Sequence, residues 1–322
     1  MDLGSVVALA GGVGGAKMAQ GLAAALGPGR LTVVVNTADD FEHLSLHISP
    51  DLDTVMYTLA GLQNAETGWG LADESWHFLE ALERLGGETW FRLGDRDLGT
   101  HVERTRRQRA GEKLSSITEG FCTRLGVAAR VLPMSDDPVR TVVHTDAGPI
   151  PFQEYFALRK CRPAVRGFEF EGADAAEFHP SAAAALQAGD LSAVLICPSN
   201  PYVSIAPILA LTGAREYLRT TAAPVIAISP IVGGAALKGP AAKMMRELGE
   251  NVSAETVAVQ YADLLDGFVL DRCDAAEAEA IRARGMRVLL ADTVMRTSAD
   301  EARLAAEILA FAGEFARARV RV

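Results

Sequence analysis

Cysteine is scarce and scattered. The 322 residues hold four, Cys122, Cys161, Cys197 and Cys273, with no Cys-x-x-Cys pair and no cysteine at zinc spacing from a histidine. That argues against a disulfide framework or a structural zinc site and fits a reducing cytoplasm. Aromatic residues are only 6%, so alanine, valine, leucine and glycine must fill the interior. Basic charge is short as well. Against 31 Lys and Arg stand 41 Asp and Glu, a formal charge of −10, which speaks against the basic face that a nucleic-acid partner requires. A nucleotide ligand remains compatible, because one loop can be locally positive in an acidic protein. The first sixteen residues carry no Lys or Arg, so there is no signal-peptide n-region. Thr220–Leu237 runs eighteen residues without a charge, but Pro224, Pro230, Gly233 and Gly234 break it. It predicts a buried strand, a loop and a helix start, and no membrane span.

What is present is a large apolar fraction, 49%, with 22% charged residues. This is the balance of a globular chain with a sizeable core, and the length suits two domains or one large α/β sheet with an insertion. The chain opens with an apolar run, Ser5 to Ala10, then GGVGGAK at 11–17, an Ala-rich amphipathic stretch to Leu26, and LTVVVN at 31–36. Strand, glycine loop, helix and strand make a βαβ unit, the building block of parallel sheets. AVLIC at 193–197, PVIAIS at 224–229, GFVLD at 267–271 and RVLLAD at 287–292 repeat the pattern, solidly apolar as strands covered on both faces are. Residues 65–165 read as a mostly helical insertion, with Asp73 and Ser115 as candidate helix caps and a hairpin around Asp146–Gly148. The core is then 1–64 with 166–322.

In an open parallel sheet the ligand crevice lies beyond the carboxyl ends of the strands, so the residues after each strand matter most. GGVGGAK fails both standard phosphate motifs: GxGxxG would place Lys17 at its sixth position, and Ala16-Lys17-Met18 lacks the Gly-Lys-Ser/Thr of a P-loop. It still has the glycines that let amides approach a phosphate ahead of a helix, although a plain tight turn would also use some of them. NTADD at 36–40 opens an acidic stretch, Asp39, Asp40, Glu42, His43, His47, Asp51 and Asp53. Beside a phosphate loop such carboxylates suit Mg²⁺; singly, Asp53 could be an N-cap and Asp39 could start a turn. GDRDLGTH at 94–101 is either a salt-bridged loop or a clamp in which Arg96 or His101 meets an anion. His77, His144 and His179 read as structural. The residues support a Mg²⁺-assisted enzyme acting on a phosphorylated or nucleotide-linked substrate.

GGVGGAK, NTADD, HISPDLDTVMYTLAG, GWGL, WFRLGDRDLGTH, GEKLSSIT, LPMSDDPVRT, FQEYF, CPSNPYVSIAPIL and ISPIVGGAALKGPAAKMM occur in that order. Together, over about residues 6–300, they resemble the 2-phospho-L-lactate transferase family of coenzyme F-420 biosynthesis. The resemblance implies a Rossmann-like core and Mg²⁺ as cofactor. It implies transfer of a phospho-organic acid from a guanosine diphospho donor to the ribityl hydroxyl of 7,8-didemethyl-8-hydroxy-5-deazariboflavin, with release of GMP. Donor phosphates are then expected at Gly12, Val13, Gly14, Gly15 and Lys17, and at Ser199, Asn200, Ser229, Gly233 and Lys238. The metal is expected at Asp39, Asp40 and Asp53, with Asp40 orienting the hydroxyl and Asp53 and Arg96 also catalytic. The acid's carboxylate would meet Arg96 or Lys238. The acid itself could be 2-phospho-L-lactate, phosphoenolpyruvate or 3-phosphoglycerate. The Ala- and Arg-rich composition favours a bacterial phosphoenolpyruvate donor. No domain for glutamate ligation is expected in this chain, and a homodimer is. The alternatives are an NAD-dependent oxidoreductase, which the broken GxGxxG disfavours, and a sugar-nucleotide-binding regulator of the same fold.

Overall fold

The computed structural model describes residues 4–320; Met1–Leu3 and Arg321–Val322, within the expected core boundaries, lie outside the described residues. Ser5–Ala10 (β1) is buried almost throughout, as its unbroken apolar sequence requires. The helix Gly12–Leu26 (α1) carries the chain back to Leu31–Val35 (β2), which lies parallel to β1. A short hairpin, Phe41–His43 (β3) and Leu46–Ile48 (β4), precedes Pro50–Leu59 (α2). Three helices follow, His77–Arg84 (α3), Asp97–Arg109 (α4) and Leu114–Arg124 (α5), and then Arg130–Pro133 (β5). Arg140–Thr145 (β6), Gly148–Pro151 (β7) and Val165–Glu171 (β8) form a separate antiparallel sheet in the order β7-β6-β8, with the expected turn at Asp146–Gly148.

The rest supplies Leu191–Ile196 (β9), Val225–Ile228 (β10), the two-residue strands Ile231–Val232 (β11) and Ala235–Ala236 (β12), Gly267–Asp271 (β13) and Arg287–Ala291 (β14). The main sheet runs β14-β13-β10-β9-β1-β2-β5, and every neighbouring pair is parallel. Numbered by themselves along the chain, these seven strands take the order 7-6-5-4-1-2-3, the doubly wound order of a Rossmann-like sheet extended by one strand. One hydrophobic cluster lies on each face. Leu9, Val34, Ile196, Met244 and Phe268 belong to one; Val33, Leu52, Met56, Leu195 and Ile308 belong to the other.

Three local expectations need correction. The 65–165 segment holds three α-helices and a short π-helix, Glu154–Leu158, but it also supplies β5, an edge strand of the main sheet; four residues ending in proline give too short an apolar run to stand out against their helical surroundings. Asp73 and Ser115 are not caps. Asp73 sits at φ +54°, and the amides of His77 and Phe78 are met by Asp95, while the amide of Ser115 donates to Asp136. After β10 the chain makes the β11–β12 hairpin, and the next helix starts only at Ala241. Gly233 and Gly234, at φ +58° and +71°, supply the double left-handed turn that a two-residue hairpin loop demands.

Candidate active site

The strand order reverses between β1 and β9, where consecutive connections leave to opposite sides and a crevice opens at the carboxyl edge. GGVGGAK occupies that edge, but much of it is already helix: Gly11 is the N-cap and α1 begins at Gly12. Ser199, after β9, joins the two loops, accepting from the Gly11 amide at 3.1 Å and donating to the Gly11 carbonyl at 2.8 Å. Gly14 and Gly15 are there for contact. A Cβ on Gly14 would lie 2.2 Å from the Pro198 carbonyl oxygen, and one on Gly15 would lie 2.7 Å from Ser199 Oγ. Gly12, at φ +63°, donates its amide to Asp51 Oδ1 at 2.8 Å.

The other expected phosphate contacts are spread around this edge. Lys17 donates to the Met295 carbonyl at 2.7 Å and Lys238 to the Thr67 carbonyl at 2.8 Å. Burial and the neighbouring charge of Lys17 both lower the Lys238 pKa, so two cations share this space. A Cβ on Gly68 would lie close to both Val13 and Lys238 Nζ, which places the GWGL turn over the start of α1. Asn200 accepts from the Tyr202 amide, Ser229 holds the Ile231 amide and carbonyl, and the Gly233 amide donates to both oxygens of Asp274 at 3.0 Å. These last three brace loops.

Next to the glycines lies a buried acidic cluster. Asn36 at the end of β2 donates to Asp51 Oδ2 at 3.0 Å and to the Val203 carbonyl at 3.2 Å, and its own oxygen accepts from the Ala38 amide. That turn drives Asp39 and Asp40 inward, where they are 6% and 2% exposed. Burial, then the charges of Asp51 and Asp40, hold the Asp39 carboxyl well above the usual range. Burial likewise pushes Asp51 up to about 6, against hydrogen bonds from Asn36 and Gly12. Asp40 Oδ2 accepts from Ser49 Oγ at 2.7 Å and contacts His47 Nε2 at 3.0 Å, while Asp40 Oδ1 is buried without a partner. Among the described residues no group of three or more His, Cys, Asp or Glu side chains is arranged to hold a metal by itself.

Asp53 stands elsewhere. Its two oxygens face the two terminal nitrogens of the buried Arg104 on α4, and His101 Nδ1 is 3.7 Å away. Burial raises the Asp53 carboxyl and Arg104 and His101 draw it back; Asp53 in turn keeps the buried guanidinium of Arg104 firmly charged. Asp97 completes the network, accepting from Tyr57 Oη, with His101 Nε2 at 3.1 Å. The structure therefore brings Asp39, Asp40 and Asp51 together and sets Asp53 among the partners of Arg104.

Arg96 is exposed at the N-cap of α4 and donates to the Ala72 carbonyl at 3.0 Å. Its loop is braced by exchange of caps. Asp95 accepts from Ser75 Oγ and the amides of His77 and Phe78 at the start of α3, and Glu74 accepts from the amides of Arg96 and Asp97 at the start of α4.

A cavity of about 230 Å³ opens beside Asp40, with Thr37, His47, Gln108 and Arg140 in its wall. Thr141 ties this wall to the acidic loop, donating its amide to the Ala38 carbonyl at 2.8 Å and lying 3.4 Å from Asp39 Oδ1 through its hydroxyl. The sequence marks Asp51 and His47 only as members of the acidic stretch and singles out neither Ser49 nor Arg140. For Asp51 a signal existed: residues two apart on a helix do not face the same way, so Asp51 and Asp53 could not both have met Asp39 and Asp40. Arg140 carried none, because β6 reaches the site only through the tertiary fold.

The family described as 2-phospho-L-lactate transferase CofD matches residues 6–307. The chain is 43% identical over 312 residues to the phosphoenolpyruvate transferase of Kitasatospora aureofaciens, covering 93% of this chain and 96% of that one. It is 39% identical over 304 residues to the 2-phospho-L-lactate transferase of Methanosarcina mazei, covering 94% and 99%. Among solved structures, protein BH3568 of Bacillus halodurans superposes with a TM-score of 0.62 over 95% of this chain and 99% of that one, at 15% identity; that likeness bears on the fold alone.

Proposed function

Because the chain belongs to the 2-phospho-L-lactate transferase family, we propose that it carries a phospho-organic acid from a guanosine diphospho donor to the ribityl hydroxyl of 7,8-didemethyl-8-hydroxy-5-deazariboflavin. The acceptor oxygen forms a bond to the phosphorus bearing the acid, the bond from that phosphorus to the bridging oxygen breaks, and GMP leaves with the bridging oxygen. This is a step of coenzyme F-420 biosynthesis. The observation that carries the reading is the buried carboxylate cluster Asp39, Asp40 and Asp51 at the strand-order reversal, against the N-terminus of α1.

Asp40 takes the hydroxyl proton through Oδ1, the one oxygen of its carboxylate without a partner, and no covalent nucleophile is needed. The donor phosphates lie over the start of α1, where the helix dipole, Lys17 and Lys238 balance their charge. Asp39 and Asp51 suit Mg²⁺: each carboxyl is raised by burial and by a neighbouring carboxylate, and a cation would relieve both. Two carboxylates are what Mg²⁺ ordinarily takes from a protein when substrate phosphates complete its shell. Once bound it would neutralise phosphate charge in the transferring group. Asp53 serves this cluster from behind by fixing α4 through Arg104. For the acid's carboxylate, Lys238, which lies with the Thr67–Gly68 turn against Val13 of α1, is better placed than Arg96, which donates to the Ala72 carbonyl.

Phosphoenolpyruvate is the proposed acid, supported by the composition and by the name of the actinobacterial relative. The pure protein is to be incubated with the deazaflavin, the guanosine diphospho derivative of each candidate acid, and Mg²⁺. Mass spectrometry should find GMP and the phosphodiester product in equal amounts; neither product with any donor would refute the reading.

A further inference from the structure

Asp40 is gripped by one oxygen. Ser49 Oγ at 2.7 Å and His47 Nε2 at 3.0 Å both converge on Oδ2, and Oδ1 is left buried and unpartnered in a residue that lines the 230 Å³ cavity. His47 and Ser49 also touch, at 3.1 Å. This is no nucleophilic triad. A triad uses the two imidazole nitrogens for different partners, whereas here a single nitrogen faces both, and the serine hydroxyl already donates to the carboxylate.

The elements around the pair fix it in place. His47 lies on β4 and Ser49 at the N-cap of α2, so both follow directly from the β3–β4 hairpin. That hairpin turns through Leu44 and Ser45 at φ +51° and +60°, a backbone that residues with a Cβ resist and that persists only where surrounding structure imposes it. The imposition comes from α4. Arg109 Nη2 donates to the Ser45 carbonyl at 2.8 Å, and the His47 amide donates to Thr105 Oγ1 at 2.8 Å, whose own hydroxyl donates to the His101 carbonyl at 2.7 Å. Neither His47 nor Ser49 is spent on the core: one lines the cavity and the other meets only Asp40 and His47 through its hydroxyl.

We infer that His47 and Ser49 are a two-point clamp that fixes the Asp40 carboxylate plane and so aims Oδ1 at the acceptor hydroxyl. They are positioning residues, acting through Asp40. The carboxylate cannot rotate without giving up both donors, and the acceptor meets an oxygen already in place. The inference rests on the transfer reading above for the identity of the hydroxyl, but the clamp itself is a property of the protein alone.

The test compares the full-length protein with His47→Gln, His47→Phe and Ser49→Ala. It measures GMP release with Mg²⁺, thermal stability and the crystallographic order of Asp40. A misplacement of about 1 Å at a reacting group can cost about 100-fold. His47→Phe and Ser49→Ala should therefore lower kcat by about 10- to 100-fold, with KM for the guanosine donor within about twofold. His47→Gln, which keeps an N–H near the Nε2 position, should recover most of the loss. In the His47→Phe crystal Asp40 should leave its position or split between two. A His47→Phe kcat near that of the parent, or a slowed enzyme whose Asp40 stays ordered and in place, would overturn the clamp. If His47→Phe does not fold, Ser49→Ala decides by the same readouts, since it removes only a hydroxyl. A parent that transfers nothing refutes the transferase reading instead, and the order of Asp40 in the variant crystals then decides the clamp.

Discussion

Asp51 and Asp53 are two residues apart on α2, and their carboxylates do different work. Asp53 balances Arg104, which is 2% exposed. Breaking a buried pair from one side leaves a bare charge in the interior, at a cost of about 3–5 kcal/mol. Asp53→Ala should lose that much in urea unfolding and lose activity through instability; a variant as stable as the parent but inactive would instead make Asp53 a direct participant. Asp51 titrates near 6 because burial favours its neutral form. A carboxyl raised in the folded state binds protons that the unfolded chain has released. Its contribution to stability is therefore full below the unfolded value near 4 and is lost as pH rises through about 6. A divalent cation that binds the ionised cluster reverses the sign above that pH. Millimolar Mg²⁺ should raise Tm by a few degrees at pH 7.5 and leave it unchanged at pH 5, and Asp51→Asn should erase the rise. An equal rise at both pH values, or none, would count against a metal at Asp39 and Asp51.

At the scale of elements, the decisive join is α1 against the loop after β9. Gly14 lets the helix approach Pro198 so closely that a methyl group has no room, whereas Gly99 in α4 has nothing within 4 Å of its missing Cβ. Gly14→Ala should cost roughly 1–3 kcal/mol, as overpacking does, and depress turnover by moving the start of α1. Gly99→Ala should gain about 0.5–1 kcal/mol of helix stability with activity intact. Denaturation of both variants, read beside GMP release, checks the pair; equal effects would mean that the close approach of Gly14 to Pro198 imposes no constraint. The cap exchange between Glu74 and Asp95 shows the same logic. Each helix start is completed by a carboxylate from the other's loop, which is why Asp73, the aspartate nearest α3 in sequence, is not its cap.

At the scale of the whole molecule, Trp69, Phe156, Leu158 and Leu237 are large apolar side chains between 42% and 57% exposed. They support the proposal of a homodimer, the commonest soluble assembly. Light scattering at micromolar protein should give twice the 34.1 kDa chain mass; a monomer would refute it. Among the described residues no helix is long and apolar enough to cross a membrane. The parallel sheet was legible in the sequence because its strands are covered on both faces. Runs such as SVVALA and GFVLD stay apolar throughout and end in turn residues, so period and length alone place them. The glycine loop, the acidic stretch and the family pattern were legible for the same local reason, being contiguous. The sequence could not order the strands. β5 joins the sheet by pairing with β2, a partner about a hundred residues away whose choice depends on burial and not on any local signal. Nor could it divide the acidic stretch into its two roles. Asp51 joins Asp39 and Asp40 while Asp53 pairs with Arg104 because α2 turns one toward Asn36 and Gly12 and the other toward Arg104, and which carboxylates lie together is decided only when distant elements pack.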